Sequence, residues 1–139
     1  MKAEFFVEDI WPTDRIDETI VIGRCAEVMI PRGSVFHSII ISRCLTSIYG
    51  STPPIFTIDR EYYVDFRLRG ITAYGHEFDE LSPGMAAALR LHGSDFHELE
   101  QEVSEMKRNE RAGVVRTYNI VLSTAKEQPT RGEDELRTR

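Results

Sequence analysis

The sequence has no apolar run near the roughly 20 residues that a membrane-spanning helix needs. It has only two cysteines, Cys25 and Cys44, in 139 residues. That is too few to staple a small secreted scaffold. Two reduced, half-buried thiols are expected, and a disulfide stays open only if their strands are neighbours. There is no Gly-x-x-x-x-Gly-Lys-Ser/Thr loop to cradle nucleotide phosphates, so GTP binding is not expected. Gly-x-Ser-x-Gly and His-Glu-x-x-His are both missing, and neither cysteine sits beside a recognisable base. These absences remove the familiar signatures of nucleophilic and zinc-dependent hydrolysis. A basic surplus is missing too. The net charge is −6, which argues against a broad phosphate-binding surface, because nucleic-acid affinity comes largely from clustered Lys and Arg. Met1 to Asp9 carries acids where a signal peptide needs an apolar stretch, so the cytoplasm is the expected compartment.

What is present is a domain-sized chain with 41% hydrophobic residues, enough for one ordinary core. Phe5 to Trp11 has the β-branched and aromatic content of a first strand, stopped by Pro12. Thr19 to Ile30 is a second β-rich stretch, with Gly23 inside it as a bulge or bend. Pro31-Arg32-Gly33 reads as a turn, and Ser34 to Ser42 as another strand. Thr46 to Pro54 is rich in Gly, Ser, Thr and Pro and reads as a loop. Ile55 to Ile58 reads as a short strand after it. Tyr62 to Ile71 alternates: Tyr63, Asp65, Arg67 and Arg69 fall on one face, and Tyr62, Val64, Phe66 and Leu68 on the other. Leu81-Ser82-Pro83-Gly84 then turns the chain into a partner strand over Met85 to Leu91.

One helix is expected, over about 95–111. Ser94 reads as its N-cap, with Asp95 and Glu98 in the first turn, where the helix dipole favours anions. Phe96, Leu99, Val103 and Met106 form an apolar stripe that either caps a barrel or pairs two copies of the chain. Gly113 reads as the stop, and Val114 to Leu122 as a last strand. The predicted fold is therefore mainly β: a small closed antiparallel barrel with one C-terminal helix, spanning 1–123. Residues 124–139 form a polar tail.

The strand pattern resembles domain II of elongation factor Tu and related translational GTPases. Phe6 to Trp11 is similar to that family's opening strand, and Thr19-Ile20-Val21-Ile22-Gly23-Arg24 to its Gly-Thr-Val-x-x-Gly-Arg stretch. Ile30 to Val35 looks like its Ile-x-x-Gly-Asp-x-Val turn. Arg69-Gly70-Ile71, Asp79-Glu80-Leu81, Pro83-Gly84 and Leu89 to Gly93 follow its most characteristic section. The resemblance covers roughly Glu4 to Gly93, with an expanded middle loop. It implies a stand-alone antiparallel barrel of about six strands, without the GTPase domain. In the aminoacyl-tRNA-binding members the barrel holds the tRNA 3′ end, using an acidic pair and an aromatic that Glu8, Asp9 and Trp11 match. The family's Glu, Arg and Asn readers are replaced by Thr72, Gly75 and Ala86. An RNA-end pocket needs hydrogen-bonding groups as well as a stacking surface, so RNA ranks behind protein as the partner.

Several clusters invite chemistry. His92 and His97 lie near Glu98 and Glu100, and Glu77, Asp79 and Glu80 share one predicted loop. Solvated side chains are the plainer reading of both, and neither metal binding nor catalysis is expected. Trp11, the only tryptophan, is either a stacking platform or a residue plugging the barrel. Arg67, Arg69 and Arg90 form either a basic stripe for an anionic partner or ordinary cross-strand pairs with Glu61 and Asp65. The candidate surface is thus Glu8, Asp9, Trp11, Arg67, Arg69 and Arg90. The leading expectation is a non-catalytic, cofactor-free binding module whose partner is a protein, translation-associated or otherwise, with a homodimer left open. An RNA-binding accessory protein and an immunity- or antitoxin-like inhibitor are the alternatives, the latter resting on small size and acidic charge alone.

Overall fold

Alternating side chains build most of the chain into strands. The structure, a computed structural model, describes residues 2–45, 55–113 and 118–125. In chain order the elements are β1 (Glu4–Pro12), β2 (Glu18–Cys25), β3 (Ile30–Pro31), β4 (Val35–Leu45) and β5 (Ile55–Ala73). These are followed by β6 (His76–Phe78), β7 (Glu80–Leu81), β8 (Ala86–His92), α1 (His97–Arg111) and β9 (Tyr118–Ser123). The predicted loop over Thr46 to Pro54 and most of the predicted tail, 126–139, lie outside the described residues, as does the start of the predicted last strand.

Six strands pair in a ring, β4-β9-β1-β2-β8-β5, and β5 returns to pair with β4. Every pairing in it is antiparallel. The closed antiparallel β fold expected from the sequence is therefore what the chain adopts. β6 extends the sheet beyond the far end of β5, and β3 and β7 make a separate two-stranded ribbon. The two strands expected at Ile55 to Ile58 and Tyr62 to Ile71 are one 19-residue strand. Its register shifts against both β4 and β8 let it bend around the ring.

The inward faces form one core. Val21 on β2, Phe36 on β4, Phe66 and Leu68 on β5, and Leu89 and Leu91 on β8 are all essentially inaccessible to solvent. Cys25 is a free, buried thiol, and burial pushes its pKa up. β9 and β1 lie between its strand and β4, which carries Cys44. The condition for a disulfide, neighbouring strands, is not met. The side chain of Cys44 lies outside the described residues.

Gly23 does not bulge itself. A Cβ there would sit 1.9 Å from the Phe6 carbonyl oxygen, so β2 and β1 approach in a way only glycine permits. The bulge is on β1 opposite it: Val7 pairs with Gly23 and Asp9 with Ile22, leaving Glu8 as the extra residue. This insertion shifts the alternation of every residue that follows it on β1.

The helix closes one end of the barrel. Phe96, Leu99, Val103 and Met106 are buried against the core, and the rings of Phe96 and Phe66 lie 4.7 Å apart. The apolar stripe is covered by the chain's own barrel, so it is not a dimer face. Ser94 does not cap the helix. The helix begins at His97, whose backbone N–H donates to Asp95 Oδ1 at 2.9 Å. At the other end Gly113 has φ +84, a left-handed conformation suited to a helix stop. Glu102, only 7% exposed, sits inside the stripe. Arg60 Nε and Nη2 donate to its two oxygens at 2.9 and 2.8 Å, and the Tyr62 hydroxyl donates at 2.7 Å. Burial raises its pKa, but these donors and the Arg60 charge outweigh burial and hold it below its ordinary value. No helix among the described residues is long and apolar enough to cross a membrane.

Candidate binding wall

Cross-strand register fixes which side chains share the outer surface. One row runs from Trp11 on β1 through Ile20 on β2 and Arg90 on β8 to Gly70 on β5. Neighbouring strands lie about 4.8 Å apart, so Trp11 and Arg90 sit about 10 Å apart across Ile20. The next row is Asp9, Ile22, Ala88 and Thr72. On the opposite flank Glu18, His92 and Arg67 align. Arg69 is the extra residue where β5 slips against β8, between Leu68 and Gly70, and it too faces solvent. All six candidate residues therefore lie on the β1-β2-β8-β5 side of the ring, with Glu8 at the bulge.

Trp11 does not plug the barrel. It is 55% exposed, and the Glu8 bulge is the reason. With strict alternation from the buried Phe5 and Val7, residues 9 and 11 would point inward. The extra residue sends them outward and turns Ile10 in. The indole is also anchored: Trp11 Nε1 donates to Asp9 Oδ2 at 3.1 Å, and Lys107 Nζ reaches the same oxygen from α1 at 3.2 Å. Burial acts to raise the Asp9 pKa. The Ile10 backbone N–H, the indole N–H and Lys107 overcome it and hold the carboxyl below its ordinary value. An ionised Asp9 thus links strand, ring and helix.

The arginines are not paired as expected. Among the described residues Arg67 and Arg69 make no ion pair or side-chain hydrogen bond, and neither meets Glu61 or Asp65. Arg90 Nε lies 3.6 Å from Glu18 Oε2. Its guanidinium lies over Gly70, where a Cβ would stand 3.1 Å from Nη2. At the rim, Arg15 donates from Nε and Nη2 to the two oxygens of Asp17, at 3.1 and 3.0 Å. His92 Nε2 lies 2.9 Å from Asp17 Oδ2. The Arg15 hydrogen bond, helped by His92, brings the Asp17 carboxyl down to about 2. The Thr13 hydroxyl shapes this β1–β2 loop. It accepts from the Arg15 backbone N–H at 3.1 Å and lies 3.2 Å from the Glu18 carbonyl.

The other clusters separate. Glu77 stands on β6 and Glu80 on β7, with Asp79 between them paired to Arg32 at 2.9 Å, so the predicted acidic loop is two short strands and a link. His92 ends β8 and His97 begins α1. Among the described residues no three His, Cys, Asp or Glu side chains converge on one point. The positions set against the tRNA-end readers lie at one end of the β5–β8 pair: Thr72 on β5 opposite Ala88, Gly75 in the β5–β6 turn and Ala86 at the start of β8. A depression of about 560 Å³ lies away from the wall, between α1 and Arg60.

Sequence reasoning missed Ile20 and Ile22 as surface residues, since Ile20-Val21-Ile22 is apolar at every position and shows no alternation. It also missed Glu102, although a carboxylate three residues from Leu99 within an apolar stripe was a readable sign of a buried ion pair. No protein-family model, no curated protein and no solved structure matches this chain.

Proposed function

We propose that the chain is a non-catalytic binding module that docks a protein through the wall centred on Trp11. The observation that carries this reading is a half-exposed tryptophan, oriented by Asp9, in one cross-strand row with Ile20 and Arg90. An aromatic anchor flanked by aliphatic and arginine side chains has the composition of an interface hot spot. Its ring is already oriented, so little side-chain entropy is lost on docking. The acidic chain favours protein over RNA. The likeness to the elongation-factor barrel supports a translation-associated partner.

Affinity purification from native lysate, with and without nuclease, tests this for the wild type and for Trp11→Ala. The expected result is a stoichiometric protein that survives nuclease and is lost from the variant, while circular dichroism shows both proteins folded. Recovery of nucleic acid alone, released steeply by salt, would replace protein docking with RNA binding on the same wall.

A further inference from the structure

Beside the tryptophan row lies a small hollow of about 250 Å³, lined by Arg15, Glu18, Arg69, Arg90 and His92. Three guanidiniums there meet Glu18 in the lining and Asp17 at the rim, a local net charge of +1 with His92 neutral, on a chain whose total is −6. Arg15 is paired to Asp17, so the available charge is that of Arg69 and Arg90. Arg69 has no ion pair among the described residues, and Arg90 has only a 3.6 Å approach from Glu18. Arg15 gives two donors to Asp17, which leaves its remaining N–H groups for a ligand.

The hollow is also built. The β5 irregularity adds Arg69 to the outer surface, and Gly70 beside it leaves space for the Arg90 guanidinium to lie against the strand. Asp17 holds both Arg15 and His92 in place, at 3.0 and 2.9 Å from one oxygen. Planar guanidinium forks converging from three elements match the oxygens of a tetrahedral anion. The hollow is below the roughly 300 Å³ where drug-sized ligand sites begin. It suits an anionic group rather than a whole nucleotide.

We propose that this hollow binds a phosphate monoester group, held by Arg69 and Arg90 with Arg15 and His92 at its rim. Glu18 is the competitor: it approaches Arg90 in the empty hollow and gives way when phosphate enters. The site shares Arg90 with the tryptophan row, and it is distinguished from protein docking on Trp11 because a small phosphate can occupy it with no protein present.

The test is a nuclear magnetic resonance titration of purified full chain at constant ionic strength. Arginine Nε–Hε signals and the Gly70 and His92 amides are followed against inorganic phosphate and against O-phosphoserine. Saturable shifts centred on Arg69 and Arg90 are expected. Affinity should fall at least about tenfold in Arg69→Ala and in Arg90→Ala, and rise in Glu18→Gln. Equal affinity for the two probes assigns the site to phosphate itself. Tighter binding of phosphoserine assigns it to a phosphorylated side chain. Either result supports the site. Shifts reproduced by sodium chloride, or affinities unchanged in all three variants, would overturn it while leaving protein docking on Trp11 untouched.

Discussion

Glu102 shows how one buried charge ties helix to barrel. Its two oxygens are satisfied by Arg60 and Tyr62 from β5, so replacing one oxygen with an NH2 group leaves at least one of these donors without its acceptor and removes the charge that Arg60 faces. Glu102→Gln should cost about 1–2 kcal/mol at neutral pH, the range for a charge-assisted bond whose partner stays partly solvated. The pH dependence follows from the direction of its shift. The folded pKa lies below the ordinary 4.5, so the unfolded chain binds the proton more readily. The stabilisation is complete above about pH 4.5 and is lost as pH falls through the lower folded value. Asp17, at about 2 in the fold against 3.8 ordinarily, titrates in the same direction. Urea midpoints at pH 7 and pH 3 check this: the gap between wild type and Glu102→Gln should narrow in acid. A gap that widens would contradict it.

At the scale of the element, the bulge on β1 decides what the first strand presents. Deleting Glu8 removes only the extra residue, so Asp9 and Trp11 keep facing out and Ile10 keeps facing in. Deleting Ile10 instead brings Trp11 one step forward and turns it toward the core. Acrylamide should therefore quench Trp11 as strongly in the Glu8 deletion as in wild type. The Ile10 deletion should show weaker quenching or fail to fold. Stability in the Glu8 deletion should change by only about 1–2 kcal/mol. The same bulge marks where sequence legibility ended. The strand was readable from its β-branched and aromatic content, though not which of Phe5, Phe6 and Val7 face inward, and β5 read correctly from Tyr62 to Leu68 by its alternation. The phase after Val7 was not readable, because nothing in Val7-Glu8-Asp9-Ile10 announces which residue is the extra one. Trp11 was accordingly left between two faces. The helix was legible from its 3.6-residue stripe. Its first residue was missed because Ser94 and Asp95 both read as competent caps, whereas the N-cap position is Phe96, without a side-chain cap, and Asp95 instead accepts a local bond from the His97 backbone N–H.

For the whole molecule, closure was legible and the shared wall was not. Strand count and turn residues pointed to a ring, but the gathering of Trp11, Ile20, Arg69 and Arg90 depends on which strands become neighbours and at what register. The pairing of β2 with β8 crosses more than sixty residues of sequence, and no local pattern encodes it. Closure also predicts how the molecule comes apart. The helix is fixed by core side chains and by Glu102, and the ring cannot lose one strand without opening, so helix and barrel should unfold as one unit. Native-state hydrogen exchange should give the amides of Val103 on α1 and Leu89 on β8 the same opening free energy. A helix that opens at markedly lower energy would show it to be an appendage.

The circular pairing has a consequence for how anything else can recognise the chain. Each ring strand has a bonded neighbour on both sides over only part of its length: among the described residues Ile55 to Phe66 of β5 pair with β4 alone, and Glu8 to Pro12 of β1 have no partner on the β9 side. An incoming peptide can extend the main-chain ladder chiefly along those stretches. Across β2, paired on both sides almost from end to end, recognition is instead written in side chains projecting from a rigid cylinder, where specificity can be altered one residue at a time while the backbone stays as it is.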